Sequence, residues 1–346
     1  MSYPFNRLPI WTLAGVLSSA APGVAWACAT CGCTLRADAA AGYSAIPGWR
    51  FNFEYDYVNQ DRLRGGTGGA TPAQIVNNPS DPTLGGGEIE KQTINRYLTM
   101  GVSYSPNSVW NVSVLVPYVM RTHTTFGQQL SPYTSSQTAS DQISGASLSS
   151  PGDVKVIGSY QGFLPTHNLG VQLGVKLPTG HYGTAVSFNT GPNTGSPLDA
   201  SLQAGTGSTD LIVGAYYYQP VSQNFDAFVN GQFQSAVRHK QDQPGNDFRP
   251  GNSASMSFGL RYEAHPQWVP QLQVNLLHKS ADQGALADRP DTAGTVAYLS
   301  PGVTLHLFGN MHLFAFAQVP VYSNLDGYQL FPHWTATVGG SYAFSP

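Results

Sequence analysis

The chain predicts an all-β fold, a transmembrane antiparallel up-and-down β-barrel of about 12 strands. Three observations carry that prediction. Twelve segments alternate apolar and polar residues with a period of two, and the connections between them alternate between long and short. Charged residues make up 10% of the chain, far below the roughly 25% of a soluble domain.

Low charge would also suit an α-helical membrane protein. Beyond the N-terminus, however, no apolar run approaches the roughly 18 residues a spanning helix needs, and the mean hydropathy is -0.17. A barrel strand shows lipid only at every second residue, so mean hydropathy stays low while the outer face stays apolar. A net charge of -3 with no basic patch excludes nucleic acid as a partner.

Residues 1–27 read as an export signal: Arg7 gives the positive start, Leu8 to Val24 the apolar segment, and Ala25-Trp26-Ala27 an A-x-A cleavage site. The mature chain would then begin at Cys28, which as a first residue also raises acylation. Cys28-Ala-Thr-Cys31-Gly-Cys33 holds all three cysteines. In an oxidising compartment Cys28 and Cys31 can form a disulfide that leaves Cys33 over. The same thiolates can bind a soft metal, Cu(I) or Zn(II), or exchange with a periplasmic protein partner. Haem attachment is disfavoured, since Gly32 stands where C-x-x-C-H needs its His, and three thiolates are one ligand short of a closed zinc site. Residues 28–48 form a periplasmic or plug segment, and the barrel spans 49–346.

Strand one puts Trp49, Phe51, Phe53, Tyr55 and Tyr57 on one face and Arg50, Asn52, Glu54 and Asp56 on the other. Equivalent segments follow at 94–105, 109–121, 153–163, 168–178, 209–219, 225–236, 253–263, 269–279, 295–307, 311–322 and 333–344. The long connections run 59–93, 122–152, 179–208, 237–252, 280–294 and 323–332, with short turns between them. Long extracellular loops, short periplasmic turns and both termini inside are what an even-numbered barrel in the outer-membrane lipid requires. Closure also removes the exposed edges of twelve strands. Aromatics flanking the short turns, Tyr104, Trp110, Phe163, Tyr218, Phe225 and Trp268, read as a periplasmic girdle.

A lipid-facing Lys or Arg near the midplane costs about 2 to 4 kcal/mol, so buried charges should face the lumen. Parity puts Arg121, Asp153, Lys155, Lys176 and Asp210 there, near the outer ends of consecutive strands. They form either a constriction that selects a small-molecule solute or a paired network that fills the lumen. Twelve strands lie between the eight that side chains can fill and the roughly sixteen that leave a wide channel, so the bore is narrow and residues 28–48 are a candidate plug. Pro117 and Pro320 fall within strands of a sheet without free edges and mark expected bulges that bend the wall; such a bend either opens a lateral exit for apolar substrates or only shapes the barrel. His123, His181 and His239 are expected as solvated loop residues. No Ser and His share an outward strand face, so the chain reads as a non-enzyme.

The terminal stretch Thr337-Val-Gly-Gly-Ser-Tyr-Ala-Phe344 resembles the C-terminal insertion signal of bacterial outer-membrane barrels, with Ser345 and Pro346 added beyond it. Leu115-Val-Pro-Tyr118, Pro151-Gly-Asp-Val-Lys155, Gly174-Val-Lys-Leu-Pro-Thr-Gly180, Gly205-Thr-Gly-Ser-Thr-Asp210 and Val319-Pro-Val-Tyr322 resemble, in that order, the outer-membrane barrels grouped with the meta-pathway of phenol degradation. The likeness is to a branch with a Cys-rich mature N-terminus. This resemblance implies a barrel that passes small, often apolar compounds, and it brings no catalytic residues. The expected role is a passive outer-membrane channel or transporter. The alternative is a non-conducting barrel whose cysteine segment binds a soft metal or docks a periplasmic redox protein.

Overall fold

The computed structural model describes residues 47–76, 89–126, 143–307 and 309–344. The export signal and the cysteine segment up to Ile46 lie outside the described residues. The strands are β1 (Gly48–Gly66), β2 (Gly68–Gly69), β3 (Ile89–Ser105), β4 (Trp110–Phe126), β5 (Ile143–Pro151), β6 (Lys155–Tyr160), β7 (Leu169–Lys176), β8 (Ser208–Pro220), β9 (Phe225–His239), β10 (Ser253–Tyr262), β11 (Trp268–Lys279), β12 (Gly294–His306) and β13 (Met311–Phe344). A short α-helix, α1 (Pro72–Val76), follows β2. Each strand pairs antiparallel with its neighbour, and β13 closes the sheet on β1 through a ladder from Trp49↔Phe344 to Gly66↔Leu325.

The thirteen strand elements make twelve staves of the wall. The small β2 only folds back on β1. Strands β5 and β6 share one stave, both pairing with β4. Strand β13 supplies two: its first part pairs with β12 and its second with β1. Its two halves meet at the periplasmic end, where Ala343 N–H donates to Asn310 O at 3.2 Å. The expected long connection at 323–332 is instead a tight outer turn in an otherwise continuous strand. Gly327 takes φ +57° there, a conformation that L side chains rarely adopt, and a Cβ would lie 1.7 Å from Asp291 Oδ1. That same Asp291 oxygen accepts the Tyr328 N–H at 2.6 Å, so the turn is fastened to the preceding loop.

The expected connections at 59–93 and 122–152 are also partly strand, since β1 runs to Gly66, β4 to Phe126 and β5 begins at Ile143. Polar positions carry these extensions. Period-two apolarity marks only the band of wall that meets lipid, whereas ladder hydrogen bonds continue above it.

The two faces follow the alternation. Trp49, Phe51, Phe53, Leu173, Val213, Leu272 and Val338 are exposed on the outside, while Thr337 and Ser341 are buried inside. Aromatic rings meet across strands beside the short turns: Trp49 with Tyr104 at 4.8 Å, Trp110 with Tyr160 at 4.7 Å, and Phe225 with Tyr262 at 5.1 Å. Tyr218 leaves the expected girdle. It is buried with Tyr216 and Phe228 in an inward-facing cluster, and its neighbour Tyr217 takes the outward parity.

A charged wall and a carboxamide wall line the lumen

Stave four is interrupted beside Pro117. On β4, Leu115 pairs with Lys155 of β6 and Tyr118 pairs with Pro151 of β5, so Val116 and Pro117 face the three residues Gly152, Asp153 and Val154. Pro117 has no N–H to give the ladder, and its carbonyl accepts the Gly152 N–H at 2.9 Å. At Pro320 the β12–β13 register likewise slips by one residue, between Ala297↔Tyr322 and Tyr298↔Pro320.

Beyond the break at Gly152, β7 no longer has a strand to follow. Its ladder with β6 stops at Lys155↔Lys176, and β5 pairs only with β4. The chain from Leu177 to Gly207 fills this place by folding inward. Gly145 and Thr190 form an isolated bridge. Phe188, Leu198, Leu202 and Ala204 are buried against Tyr97, Val119, Ala146 and Leu148, which all face the lumen. Burying apolar side chains from both the loop and the wall is what holds a long loop inside a barrel.

Asp153 fastens that loop. Its Oδ1 accepts the Gly180 N–H at 3.0 Å, and its Oδ2 accepts the Thr206 N–H at 3.0 Å and hydroxyl at 3.1 Å. Gly180 and Gly205 let the backbone come this close: a Cβ on Gly205 would sit 2.6 Å from Asp153 Oδ1 and 2.8 Å from the Gly180 carbonyl. Lys176 Nζ lies 3.3 Å from Asp153 Oδ2 and 3.0 Å from Asp210 Oδ2, with all three side chains at 3% exposure or less. Lys176 also donates to Ser208 Oγ at 3.1 Å and to Thr206 Oγ1. Gln234 joins Lys155 to the group. It accepts from Lys155 Nζ at 3.1 Å and donates to Asp210 Oδ2 at 2.6 Å. Two cations and two carboxylates balance, which is what makes burying four charges tolerable.

Arg121 stands apart from these four. Its guanidinium donates to Asn95 Oδ1 at 2.5 Å, to Tyr97 Oη at 3.1 Å, and to the carbonyls of Leu202 and Gln203 on the inward loop. The five lumen charges therefore divide into a four-residue network at the loop's two ends and one arginine at the Leu202 and Gln203 carbonyls within it. His123, expected in solvent, is fully buried on β4, with Nδ1 2.7 Å from Thr93 Oγ1 and its ring 6.0 Å from that of Phe188. His181, within the same loop, is exposed, with its Nδ1 2.9 Å from Ser150 Oγ.

The opposite wall, β9 to β13, has a different chemistry that sequence parity did not single out. Between the charged network above and Asp226, Arg261 and Glu263 near the periplasmic end, it presents Asn230, Gln232, Gln273, Asn275 and Gln318 with interspersed serines. Near the periplasmic end Arg261 pairs with Glu263 at 2.8 Å, although Asp226 is its register partner on β9. Rings lie across glycines on this wall: a Cβ on Gly259 would meet Phe228 Cζ at 2.2 Å, and one on Gly302 would meet Phe316 Cδ1 at 2.1 Å. The two glycines keep the rings flat against the barrel. Among the described residues no group of three or more His, Cys, Asp or Glu is arranged to hold a metal ion; Cys28, Cys31 and Cys33 lie outside them.

Comparison with known proteins places the fold. An outer membrane channel of Pseudomonas putida F1 is similar over 87% of this chain and 98% of its own, with a TM-score of 0.59 and 11% identity. The toluene transporter of Ralstonia pickettii matches over 87% and 90% of the two chains at 10% identity and a TM-score of 0.43. A FadL homologue of Pseudomonas aeruginosa matches over 86% and 91% at 11% identity and a TM-score of 0.40. No curated protein sequence matches the chain. Residues 83–325 match the family described as the MetA-pathway of phenol degradation. With the closed barrel, its apolar exterior and this match in place, the chain belongs to that family and has the fold of a bacterial outer-membrane β-barrel channel.

Proposed function

We propose that this protein is a passive outer-membrane channel for small, largely apolar solutes, narrowed by the loop from Leu177 to Gly207. The observation that carries this reading is that the loop is folded into the lumen and held there by buried polar contacts, Asp153 at its two roots and Arg121 at the Leu202 and Gln203 carbonyls. A barrel that served only as a closed scaffold would gain nothing from a constriction built this way. The network of Asp153, Lys155, Lys176 and Asp210 sets the electrostatics beside the narrowest level, so it selects what passes. The similar Pseudomonas putida protein is an outer membrane channel, which supports the same direction.

The missing pairing between β5 and β7, beyond the stave break at Gly152 opposite Pro117, suits a lateral exit through which an apolar solute leaves the lumen for the lipid, with the 186–198 segment as its cover. Pro320, at the other register slip, bends the wall without such a gap, since β12 and β13 continue to pair on both sides of it.

Single-channel conductance of the refolded protein in planar bilayers tests the proposal, alongside a variant lacking residues 28–48. Steps in the full-length protein support an open channel, and steps only after truncation make Cys28–Gly48 the plug. Silence in both, with intact β-sheet circular dichroism, overturns the channel and leaves a barrel whose Cys28, Cys31 and Cys33 bind copper or zinc or meet a periplasmic partner. For the exit, a cysteine pair at Gly145 and Thr190 should stop apolar uptake when oxidised and leave ion conductance in place.

A further inference from the structure

We infer that Arg62 and Arg64 form an oxyanion site at the outer mouth of the lumen, one that captures a solute carrying a single carboxylate. This rests on the channel reading above and names a class of molecule that enters. The two arginines stand two residues apart near the outer end of β1. Their guanidinium carbons lie 5.8 and 5.3 Å from the centre of one ring, that of Phe331. Phe331 is the register partner of Arg62 on β13 and is buried with Leu325 and with Val296 and Tyr298 from the inner side of β12, so both arginines turn toward the lumen. Each stays half-buried, which leaves surface for a ligand.

Their charge is unmatched. Lys176 pairs with Asp153 and Asp210, Arg261 with Glu263 and Lys279 with Asp282, whereas among the described residues neither Arg62 nor Arg64 pairs with a carboxylate. The acids nearby are engaged elsewhere: Asp61, of the opposite parity, lies 3.5 Å from His333, and Glu90 Oε2 accepts the Leu330 N–H at 3.3 Å. Burial, and after it the charge of Arg64, hold Arg62 below the usual guanidinium range, with Asp61 opposing them. Two like charges set this close repel, and an anion between them removes the repulsion. Each guanidinium gives one N–H to the backbone, Arg62 to the Pro332 carbonyl at 2.5 Å and Arg64 to the Thr67 carbonyl at 2.6 Å. Those bonds and the shared ring hold the two planar forks in place, and the donors left over match the oxygens of a carboxylate. A phosphate dianion fits less well, because it gives up more hydration on entering a narrow bore.

Fluorine-detected saturation-transfer NMR on the refolded full-length protein in detergent tests this with 3,3,3-trifluoropropionate and its neutral isostere 3,3,3-trifluoropropanamide, each corrected with protein-free micelles. Saturable transfer is expected for the acid and not for the amide, and inorganic phosphate should displace the acid only weakly. The double variant Arg62→Gln/Arg64→Gln should bind the acid at least about tenfold more weakly, the loss expected when its charge-assisted hydrogen bonds go. Each variant is checked for heat-modifiable mobility so that a folding defect is not read as lost binding, and the single variant Arg64→Gln stands in where the double variant does not refold. Unchanged affinity in the folded variant overturns the inference, as does equal binding of the amide or tighter binding of phosphate. Conductance of the same preparations separates the two readings: a conducting barrel that fails the NMR test sinks this inference alone, and a silent barrel that passes it sinks the channel and leaves the site.

Discussion

The two walls of the lumen solve the problem of buried polarity in opposite ways. On the β4–β8 side every charge of the four-residue network has a charged or amide partner, and the network's spare capacity goes to backbone N–H groups of the inward loop. On the β9–β13 side, apart from the Arg261–Glu263 and Lys279–Asp282 pairs, the buried amides of Asn230, Gln232, Gln273, Asn275 and Gln318 are neutral, and each has at least one atom without a partner. A satisfied ionic network ties structure together and tolerates no missing member, because removing one partner strands another charge. Unpaired amides contribute little to the fold, so they can be exchanged at small cost. The contrast separates a wall whose polar groups hold the barrel and its inward loop together from one whose amides contribute little to the fold.

Substituting Asp153 with Ala should have the largest effect. It strips the loop of its carboxylate acceptor and leaves Lys176 with one carboxylate partner, a loss of about 3 to 5 kcal/mol. Urea-induced unfolding in detergent measures it, and a change near zero would mean the network does not hold the loop. Arg121→Met comes next, at about 2 to 3 kcal/mol, because the Leu202 and Gln203 carbonyls and Asn95 lose a charged donor. Its signature should be larger or noisier conductance as the segment around Leu202 and Gln203 comes free. For Gly205→Ala the expected cost is about 1 to 3 kcal/mol, since the added Cβ overlaps Asp153 and the Gly180 carbonyl. The smallest effect belongs to the other wall. Gln318→Met should stay within about 1 kcal/mol of the parent or stabilise it, because no protein hydrogen bond is lost. If Gln318→Met proves as damaging as Asp153→Ala, the distinction between the walls fails.

Much of the charged wall is legible in the order of residues. Parity places Asp153, Lys155, Lys176 and Asp210 together on the inner face, because a strand's side chains alternate without exception unless a bulge intervenes. Arg121 shares their parity and still joins a different group, since its partners are loop carbonyls and parity says nothing about loops. The inward loop is invisible in the sequence for the same reason: Phe188, Leu198 and Leu202 carry no period, and only tertiary contact turns them into a core. Tyr218 falls on the wrong side of the wall in a sequence reading because a girdle aromatic and a lumen aromatic differ by a single residue of register. The carboxamide patch is present in the alternation of β9, β11 and β13 but carries no mark there, since isolated Asn and Gln are ordinary lumen filling until five of them converge.

Local patterning dictates the twelve-stave wall, its handing of apolar residues to lipid and polar ones to the lumen, and the short and long ends, because those follow from a period of two and from the absence of water in the bilayer core. Contacts across space decide that β5 and β6 share a stave, that residues 177–207 fold inward, and which buried polar groups find partners. Arg121 and Leu202, which meet across 81 positions of sequence, show why. The free energy of such an arrangement lies in groups brought together by the whole fold, and it leaves no local periodic trace.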